Sequence, residues 1–382
     1  DRVELAYGRH LLDLCAERLR FTAFDYRSGF RELPRAASET FLRALQDGWS
    51  EDRPDIRRMA RSLFLAGVAP FAPALPTPLQ PRPIWLNVST HPLCQGWAVR
   101  RMLRRTGACF VPLLHDVIPI EHPEYVPRSW TRRHLQRLRT VAEHASGVIA
   151  NSRTTARALG LHLPAHLPIH TAPLGVDLRQ GRPGSASVPI RPYFVMLGTI
   201  EPRKNHITIL HVFRDLAERL GAEATPGLLI IGSPGRENEH IMDILERCTA
   251  LKGVVTFAGA LPDAAVATKL AGARALLMPS FSEGFGLPVA EATAMGCPVI
   301  CSDIPAHREV GGATPDFIDP IDGAAWRRAI LDYAQPESAA RHGQLRRLQN
   351  HAPTCWREHV AEALAFAERI AGGIAGEASG PG

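Results

Sequence analysis

The segment 275–302 constrains the fold more than any other part of this 382-residue chain. It begins with a short apolar run at 275–278, which is typical of a buried strand in a parallel sheet. A polar, glycine-containing loop follows, and Pro288 stands where it can open a helix without losing a needed N–H group. The pattern predicts a helix over 289–295 that ends at Gly296, and then a strand over 298–301. Such a strand–loop–helix–strand unit predicts an open α/β sheet that binds its ligand at the carboxyl ends of the strands.

The loop and the helix of this unit carry two carboxylates, Glu283 and Glu291, eight residues apart. Between them, Gly284 and Gly286 allow the backbone to come close to a ligand. The N–H groups in the first turn of the helix favour an anionic group such as a phosphate. Carboxylates beside a phosphate site suit the hydroxyl groups of a sugar or a ribose. The combination therefore predicts a nucleotide-sugar pocket.

The two glutamates and their context, SEGFGLPVAEATAMGCPVICSD, resemble the signature of glycosyltransferase family 4, whose members are retaining enzymes. The resemblance implies the GT-B fold, an α/β architecture of two Rossmann-like domains with parallel sheets that face a cleft. It also implies that Glu291 binds the ribose and that Glu283 reaches hydroxyls of the donor sugar. Phe285, Gly286 and Leu287 are then expected to contact phosphate and sugar through their backbones. The alternative is a surface helix solvated by two glutamates.

A second motif, GTIEPRKNH at 198–206, follows a strand that ends at Gly198 and precedes a predicted helix. It places Arg203 and Lys204 in a turn at the carboxyl edge of the sheet. Two fixed cations there can stabilise the charge that develops on a leaving diphosphate, in place of a metal. The pair resembles the phosphate-binding Arg-Lys pair of the family, and the alternative is a solvated basic turn. Because the chain has no Asp-x-Asp motif, we expect neither a metal nor a cofactor beyond the nucleoside-diphosphate sugar as co-substrate.

A third candidate is the pair His115 and Asp116, which ends a predicted strand in the first half of the chain. Histidine is the usual proton carrier near neutral pH. The family often places a His or Asp of this kind beside the reacting carbon, in contact with sugar or acceptor. In the front-face substitution that the resemblance implies, the departing phosphate draws the acceptor's proton, so no protein nucleophile is required. A structural histidine at a strand end remains the alternative, and the sequence does not decide which of the pair matters more.

The alternation of strands and helices predicts two domains. They cover 1–188 and 189–355. The resemblance implies that the first binds the acceptor and that the second binds the nucleotide sugar. Residues 179–192, rich in Gly, Pro and Ser, predict the linker between them. The resemblance implies that 356–382 form a C-terminal helix that crosses back, followed by a tail. The chain opens on a helical pattern at 2–20 without a preceding strand, so we expect a first strand and its glycine loop to be missing.

Charge is distributed unevenly along the chain. Residues 1–188 carry 26 Arg and no Lys against 16 acidic residues, whereas the remainder carries 18 basic against 22 acidic residues. A basic first half favours an anionic membrane surface or an anionic substrate. The alternatives are an arginine-rich solvated surface and a nucleic-acid interface, but no recognisable nucleic-acid module is present. Seven scattered cysteines without a CxxC pair favour a reducing compartment, and hence a cytoplasmic location.

The segment HDVIPIEHPEY at 115–125 most resembles bacterial mannosyl- and rhamnosyltransferases of exopolysaccharide or O-antigen assembly. The resemblance implies transfer of a hexose from a nucleoside-diphosphate sugar, with GDP-mannose as the first donor to test. The expected acceptor is a polyprenyl-diphosphate-linked glycan or a polysaccharide at the inner face of the cytoplasmic membrane. Two alternatives stay open: a nucleotide-sugar epimerase on the same fold, and a non-catalytic protein that binds a sugar nucleotide or a glycan.

Overall fold

The computed structural model describes residues 2–26, 29–48, 58–63, 82–176 and 191–377, and these fall into two units. Unit 1 comprises Asp1–Ile120, Ser129–Gly175 and Trp356–Gly382, and unit 2 comprises Glu121–Arg128 and Val176–Cys355. The boundaries expected from the sequence at 188/189 and 355/356 stay predictions. Most of the expected linker, 179–190, and the proline-rich stretch 70–81 lie outside the described residues.

The chain between residues 2 and 176 alternates helices and strands as the sequence pattern predicts. Its strands are β1 (Phe21–Asp25), β2 (Gly29–Leu33), β3 (Ile84–Asn87), β4 (Cys109–Leu114), β5 (Val148–Ala150) and β6 (Ile169–Thr171). Its helices are α1 (Arg2–Cys15), α2 (Arg35–Gly48), α3 (58–63), α4 (Gly96–Thr106), α5 (Ile118–Glu121), α6 (Arg128–His144) and α7 (Arg153–Gly160).

The parallel sheet of unit 1 has the order β3-β4-β5-β6. Strands β1 and β2 form a separate antiparallel hairpin, with Phe21 opposite Leu33. The alternating pattern did not predict this hairpin; only residues 26–28 separate its strands, which is too short for a parallel crossover. Phe30 carries the hairpin onto the core, where its ring lies 4.6 Å from that of Trp85, which stacks in turn on Phe110.

Helix α2 begins at Arg35 and ends at Gly48, and residues 58–63 form α3. The residues between them, 49–57, lie outside the described part of the chain. At the start of α2, Pro34 O accepts a hydrogen bond from Ser38 N at 3.0 Å.

Unit 2 continues the alternation from residue 193 onward. Its strands are β7 (Tyr193–Leu197), β8 (Gly227–Ile231), β9 (Val255–Gly259), β10 (Leu276–Met278), β11 (Val299–Ser302) and β12 (Asp316–Ile318). Its helices are α8 (His206–Leu220), α9 (Glu239–Arg247), α10 (Asp263–Gly272), α11 (Leu287–Ala294), α12 (Pro305–Gly311), α13 (Gly323–Ala334) and α14 (Ala339–Leu348).

The sheet of unit 2 is parallel throughout, in the order β12-β11-β10-β7-β8-β9. The chain moves outward in one direction from β7 to β9, and then returns to the other side of β7 with β10. The point between β7 and β10 is therefore the topological switch point, where open α/β sheets form a ligand crevice. The loops that follow these two strands are the two segments singled out from the sequence.

Helix α15 (Trp356–Glu377) follows unit 2 in the chain but belongs to unit 1. It packs against α1, where the rings of His359 and Tyr7 meet edge-to-face at 5.2 Å. Phe366 stacks on His170 in β6, with ring centroids 4.9 Å apart. In the described part of the chain, no helix combines the length and the apolar character needed to cross a bilayer.

Gln344 on α14 is fully buried and ties three backbone groups of unit 2 together. Its side chain accepts a hydrogen bond from Val299 N at 3.1 Å and donates to Val299 O at 2.6 Å and Thr314 O at 3.0 Å. We expect Gln344→Leu to lower the free energy of unfolding by about 3 kcal/mol, because it leaves buried backbone groups without their hydrogen-bond partner. Urea denaturation measures this, with Arg346→Leu as the exposed control on the same helix, expected to change stability by less than about 0.5 kcal/mol.

Candidate active site

The turn after β7 carries the two cations. Gly198 has φ +132, and a side-chain carbon placed on it would lie 3.2 Å from Lys204 Cε, so the lysine side chain passes directly over this glycine. A 3-10 turn, Pro202–Lys204, ends at Asn205 in the left-handed region with φ 53. Asn205 Nδ2 then donates to Pro279 O at 3.1 Å and Pro320 O at 2.9 Å. The turn is thereby fixed to the loop that follows β10.

That second loop, 279–286, lies along the first. Phe281 N donates to Arg203 O at 2.8 Å, and Arg203 Nη1 donates back to Ser282 O at 3.0 Å. Phe281 also stacks on Tyr125, with ring centroids 5.8 Å apart and planes 4° from parallel. Backbone and side-chain bonds therefore join two segments almost eighty residues apart in sequence.

The structure brings Arg203, Lys204 and Glu283 into one buried ion-pair cluster. Glu283 Oε2 accepts from Arg203 Nη1 at 2.6 Å, and Glu283 Oε1 accepts from Lys204 Nζ at 2.8 Å. Ser280 Oγ also donates to Oε1 at 2.9 Å, and Arg203 Nη2 pairs with Glu201 at 2.6 Å. The side chains of Lys204 and Glu283 are only 8% and 7% exposed. We call Glu201, Arg203, Lys204 and Glu283 the charge cluster.

Electrostatics keep Glu283 ionised within the charge cluster. Burial alone would raise the pKa of Glu283, but Arg203 and Lys204 hold it well below its usual range. Burial lowers the pKa of Lys204, and the Glu283 carboxylate opposes that effect. Next to the lysine, burial and the neighbouring ammonium lower the pKa of His206 to about 4, so its imidazole is neutral at pH 7. Two cations and two carboxylates leave the free cluster without net charge.

The start of α11 holds the residues that are predicted to contact phosphate and sugar through their backbones. Gly286 has φ +99 and caps the helix, Leu287 begins it, and Pro288 occupies its first turn. Phe285 is buried just before the cap, and Glu291 lies half-buried on the helix. The N–H groups of this turn emerge at the carboxyl edge of β10, which is the geometry of an anion-binding helix start.

His307, at the start of α12, was not predicted from the sequence. It is fully buried, and its Nδ1 lies 3.0 Å from Ser302 O. Burial lowers its pKa, so the ring is neutral and Nδ1–H donates to that carbonyl. A side-chain carbon on Gly286 would lie 3.2 Å from His307 Cδ2, so the imidazole supports the Gly286 turn from below. Its signal was positional: like the charge cluster, it follows a strand, here β11, at the carboxyl edge of the sheet.

Gly232 and Gly235 were also missed. Gly232 follows β8 with φ +153, and a side-chain carbon on it would lie 2.0 Å from Gly198 O. A side-chain carbon on Gly235 would lie 2.8 Å from Ile200 O. Only glycine allows these loops to approach the turn after β7. The signal in the sequence was the Gly-Ser-Pro-Gly run directly after an apolar strand.

His115 and Asp116 belong to unit 1, where they follow β4 directly. His115 O accepts from Asn151 Nδ2 at 2.9 Å and from Thr155 Oγ1 at 3.2 Å, which fixes the backbone of the loop. Asp116 Oδ1 accepts from Ile118 N at 3.0 Å and begins helix α5. Burial lowers the pKa of His115, while the carboxylate of Asp116 opposes this shift. The catalytic roles expected for this pair, like those of the unit 2 residues, stay predictions.

Comparison with solved structures identifies the class of fold. The sucrose-phosphate synthase of Thermosynechococcus elongatus matches with a TM-score of 0.59 at 19% identity, over 84% of this chain and 79% of that one. The α,α-trehalose 6-phosphate synthase of Burkholderia multivorans matches with a TM-score of 0.60 at 13% identity, over 85% and 76%. At these identities the likeness establishes the fold alone, and it confirms the predicted GT-B class.

Sequence comparison bears on the family. Residues 182–331 match the family model described as "Glycosyl transferases group 1", and over this part of the chain the predicted resemblance is confirmed. The serotype-specific mannosyltransferase WbdA of Escherichia coli is 32% identical over 234 residues, which cover 54% of this chain and 28% of that protein. The O-antigen chain mannosyltransferase B of Escherichia coli is 35% identical over 146 residues, 38% of either chain. The chain thus spans less than two fifths of these relatives.

The charge cluster makes a direct prediction for stability. Glu283→Ala leaves the buried ammonium of Lys204 without its carboxylate, so we expect the free energy of unfolding to fall by about 3–5 kcal/mol. The double variant Lys204→Met with Glu283→Leu removes both charges and should recover most of that loss. Urea denaturation at pH 7 measures both variants. A loss below about 1 kcal/mol for the single variant would contradict the buried pairing.

The same variants have a pH signature. Because the folded-state pKa of Glu283 lies below its unfolded value near 4.3, its contribution is fully present above that pH and is lost as the pH falls. The wild-type protein should therefore lose more stability below about pH 4.5 than the double variant. If the free energy of unfolding falls equally with pH in the two proteins below about pH 4.5, this prediction is contradicted.

Proposed function

We propose that this protein is a retaining hexosyltransferase that uses a nucleoside-diphosphate sugar as donor. The observation that carries the proposal is the charge cluster at the switch point of unit 2, beside the helix start at Gly286. The match of residues 182–331 to the group 1 glycosyl transferases supports the reaction class. The mannosyltransferases among its relatives favour GDP-mannose as the donor.

In this proposal, Arg203 and Lys204 stabilise the charge that grows on the diphosphate as the sugar bond breaks. Glu283 holds both cations in place before the donor arrives, so they need not reorganise during the reaction. The first turn of α11 contacts the phosphates, and Glu291 binds the ribose. Fixed cations supply the positive charge that other transferases take from a metal, which supports metal independence.

Glu283 has a second proposed role as an acceptor for hydroxyls of the donor sugar. Both of its oxygens already accept bonds from Arg203, Lys204 and Ser280. A carboxylate offers about four lone-pair directions, so one sugar hydroxyl can be added without breaking these bonds. Glu283 then couples the position of the sugar to the position of the cations.

His115 and Asp116 are proposed to contact the sugar or the acceptor from unit 1. The lowered pKa of His115 makes its imidazole neutral near pH 7, so it can orient an acceptor hydroxyl by hydrogen bonding. The departing phosphate oxygen takes the acceptor's proton as the new glycosidic bond forms. No protein nucleophile is needed, and the anomeric configuration is retained.

The proposed acceptor is a polyprenyl-diphosphate-linked glycan or a polysaccharide, at the inner face of the cytoplasmic membrane. The names of the relatives, a serotype-specific and an O-antigen chain mannosyltransferase, support a surface-polysaccharide product. We propose an anionic membrane surface as the second partner, bound through the basic first half of the chain. We do not propose nucleic acid as a partner.

A panel of nucleotide sugars in thermal-shift assays tests the donor. We expect GDP-mannose to raise the melting temperature most, since a ligand at 100 times its Kd stabilises the folded state by about 2.7 kcal/mol. Lys204→Gln should abolish the shift, whereas Lys252→Gln, an exposed lysine elsewhere in unit 2, should keep it. Both variants are first compared in melting temperature without ligand.

Product analysis separates the alternatives. Retained configuration in a mannosylated acceptor, by NMR, supports the proposal. Conversion of the sugar nucleotide to an epimer without any acceptor would identify an epimerase. A thermal shift without turnover of any donor, across lipid-linked and polysaccharide acceptors, would identify a binding protein.

A further inference from the structure

Helix α4 of unit 1 presents one strongly basic side. Trp97, Arg100, Arg101 and Arg104 follow the spacing i, i+3, i+4, i+7, which places them on one face of the helix. All four are exposed, and Trp97 leaves 40% of its surface to solvent. The opposite side of the helix is buried in the core of unit 1, through Ala98, Val99 and Met102.

Helix α6 repeats this arrangement. Arg132, Leu135 and Arg139 are spaced i, i+3, i+7 and are all exposed, with Leu135 at 41%. Trp130, in the first turn, is 42% exposed. Single exposed apolar side chains are common on protein surfaces, so Leu135 is informative only because it lies in one row with Arg132 and Arg139.

The two helices lie side by side. A side-chain carbon on Gly96 would lie 3.1 Å from Thr140 Oγ1, and Cys94 Sγ contacts Arg133 O at 3.5 Å. Both helices bury their inner sides in one core, and both connect parallel strands in the same direction along the sheet. Right-handed crossovers then put them on the same side of it. We call the exposed sides of these two neighbouring helices the basic face.

The basic face carries a large excess of positive charge. Together α4 and α6 contain nine arginines and one acidic residue, Glu143. Such density of one sign attracts anionic partners over about one Debye length, 8–10 Å in physiological salt. Charge alone would suit a lipid surface, a nucleic acid or an acidic protein.

The apolar residues within the basic face decide between these partners. Trp97 and Leu135 lie on the same helix faces as the arginines rather than apart from them. Tryptophan and leucine beside basic residues are typical of segments that lie in the headgroup region of a bilayer, where rings insert while arginines contact phosphates. Exposed leucine gains little from a nucleic-acid backbone. We propose that the basic face docks unit 1 on an anionic lipid bilayer.

The basic face specifies where the membrane partner of the proposed function binds, and so it rests on that proposal. Vesicle binding can nevertheless be measured without transferase activity. Purified full-length protein is sedimented with vesicles of phosphatidylcholine containing 30% phosphatidylglycerol, or of phosphatidylcholine alone, at about 0.15 M salt. We expect binding to the anionic vesicles at least tenfold tighter than to the neutral ones. Equal binding to both would overturn the electrostatic part of the proposal.

A charge-matched pair of variants tests the location. Arg101→Gln, Arg104→Gln and Arg132→Gln together should weaken vesicle binding on the order of 100-fold, at about fivefold for each arginine near the surface. The control combines Arg247→Gln, Arg328→Gln and Arg346→Gln, exposed arginines of unit 2, with the same change in net charge. It should bind like the wild-type protein, and equal loss in both would show that only the total charge matters.

A second pair tests insertion. Leu135→Ser should lower binding about threefold to tenfold and keep that deficit at 0.5 M salt, where the arginine contribution is screened. Leu220→Ser is the control, since Leu220 is 46% exposed but lies in unit 2. If Leu135→Ser does not change vesicle binding, and duplex DNA fully displaces the protein from the vesicles, the proposal is wrong and the basic face is a nucleic-acid surface.

The membrane and transferase results are separable. If vesicle binding fails while mannosyl transfer to a soluble acceptor persists, the basic face is a solvated surface and the proposed reaction stands. If binding holds while every donor fails, the membrane surface stands without the reaction. Unchanged melting temperatures of the variants confirm that the losses do not come from unfolding.

Discussion

The candidate site depends on one buried carboxylate, that of Glu283, which lies between the cations of Arg203 and Lys204. Taking Glu283 and Lys204 out of water is costly, and their mutual attraction offsets that cost only when geometry and extra hydrogen bonds are good. Here Arg203 and Ser280 supply those bonds at 2.6 and 2.9 Å. Three features position these groups. Gly198 leaves room for the Lys204 side chain, and Asn205, in the left-handed region, joins the two loops. The sheet order places β7 beside β10.

The pairing of the cations within this cluster has a consequence for the proposed reaction. Cations that are already paired and oriented bind a diphosphate without first losing a disordered solvent shell, which is the essence of a preorganised site. In the proposed reaction, charge moves from the sugar bond onto the phosphates while the cations stay still. In the same proposal, the His115 loop of unit 1 contacts the sugar or the acceptor, and the basic face binds the membrane that holds the acceptor.

The sequence predicted those parts of the fold in which local pattern and burial agree. The apolar run at 275–278 and the strand ending at Gly198 were predicted, and the structure has β10 and β7 there. The sequence analysis missed β6, a three-residue strand in a stretch where prolines break the pattern, and the hairpin of β1 and β2. The use of both oxygens of Glu283 by Arg203 and Lys204 was not predictable, because contacts across eighty residues follow from sheet order rather than spacing. His307 was missed because its position after the strand β11 was a weak signal without a motif beside it.

Calorimetric titration of GDP and GMP into the wild-type protein and Lys204→Gln tests the central claim most directly, because the two ligands differ by one phosphate. We predict that GDP binds the wild-type protein at least tenfold more tightly than GMP, and that the variant loses most of this difference while its affinity for GMP changes little. Arg203→Gln, whose side chain is more exposed, provides the same comparison if the lysine variant is unstable. An undiminished preference for GDP in both variants would contradict the assignment of these cations to the diphosphate.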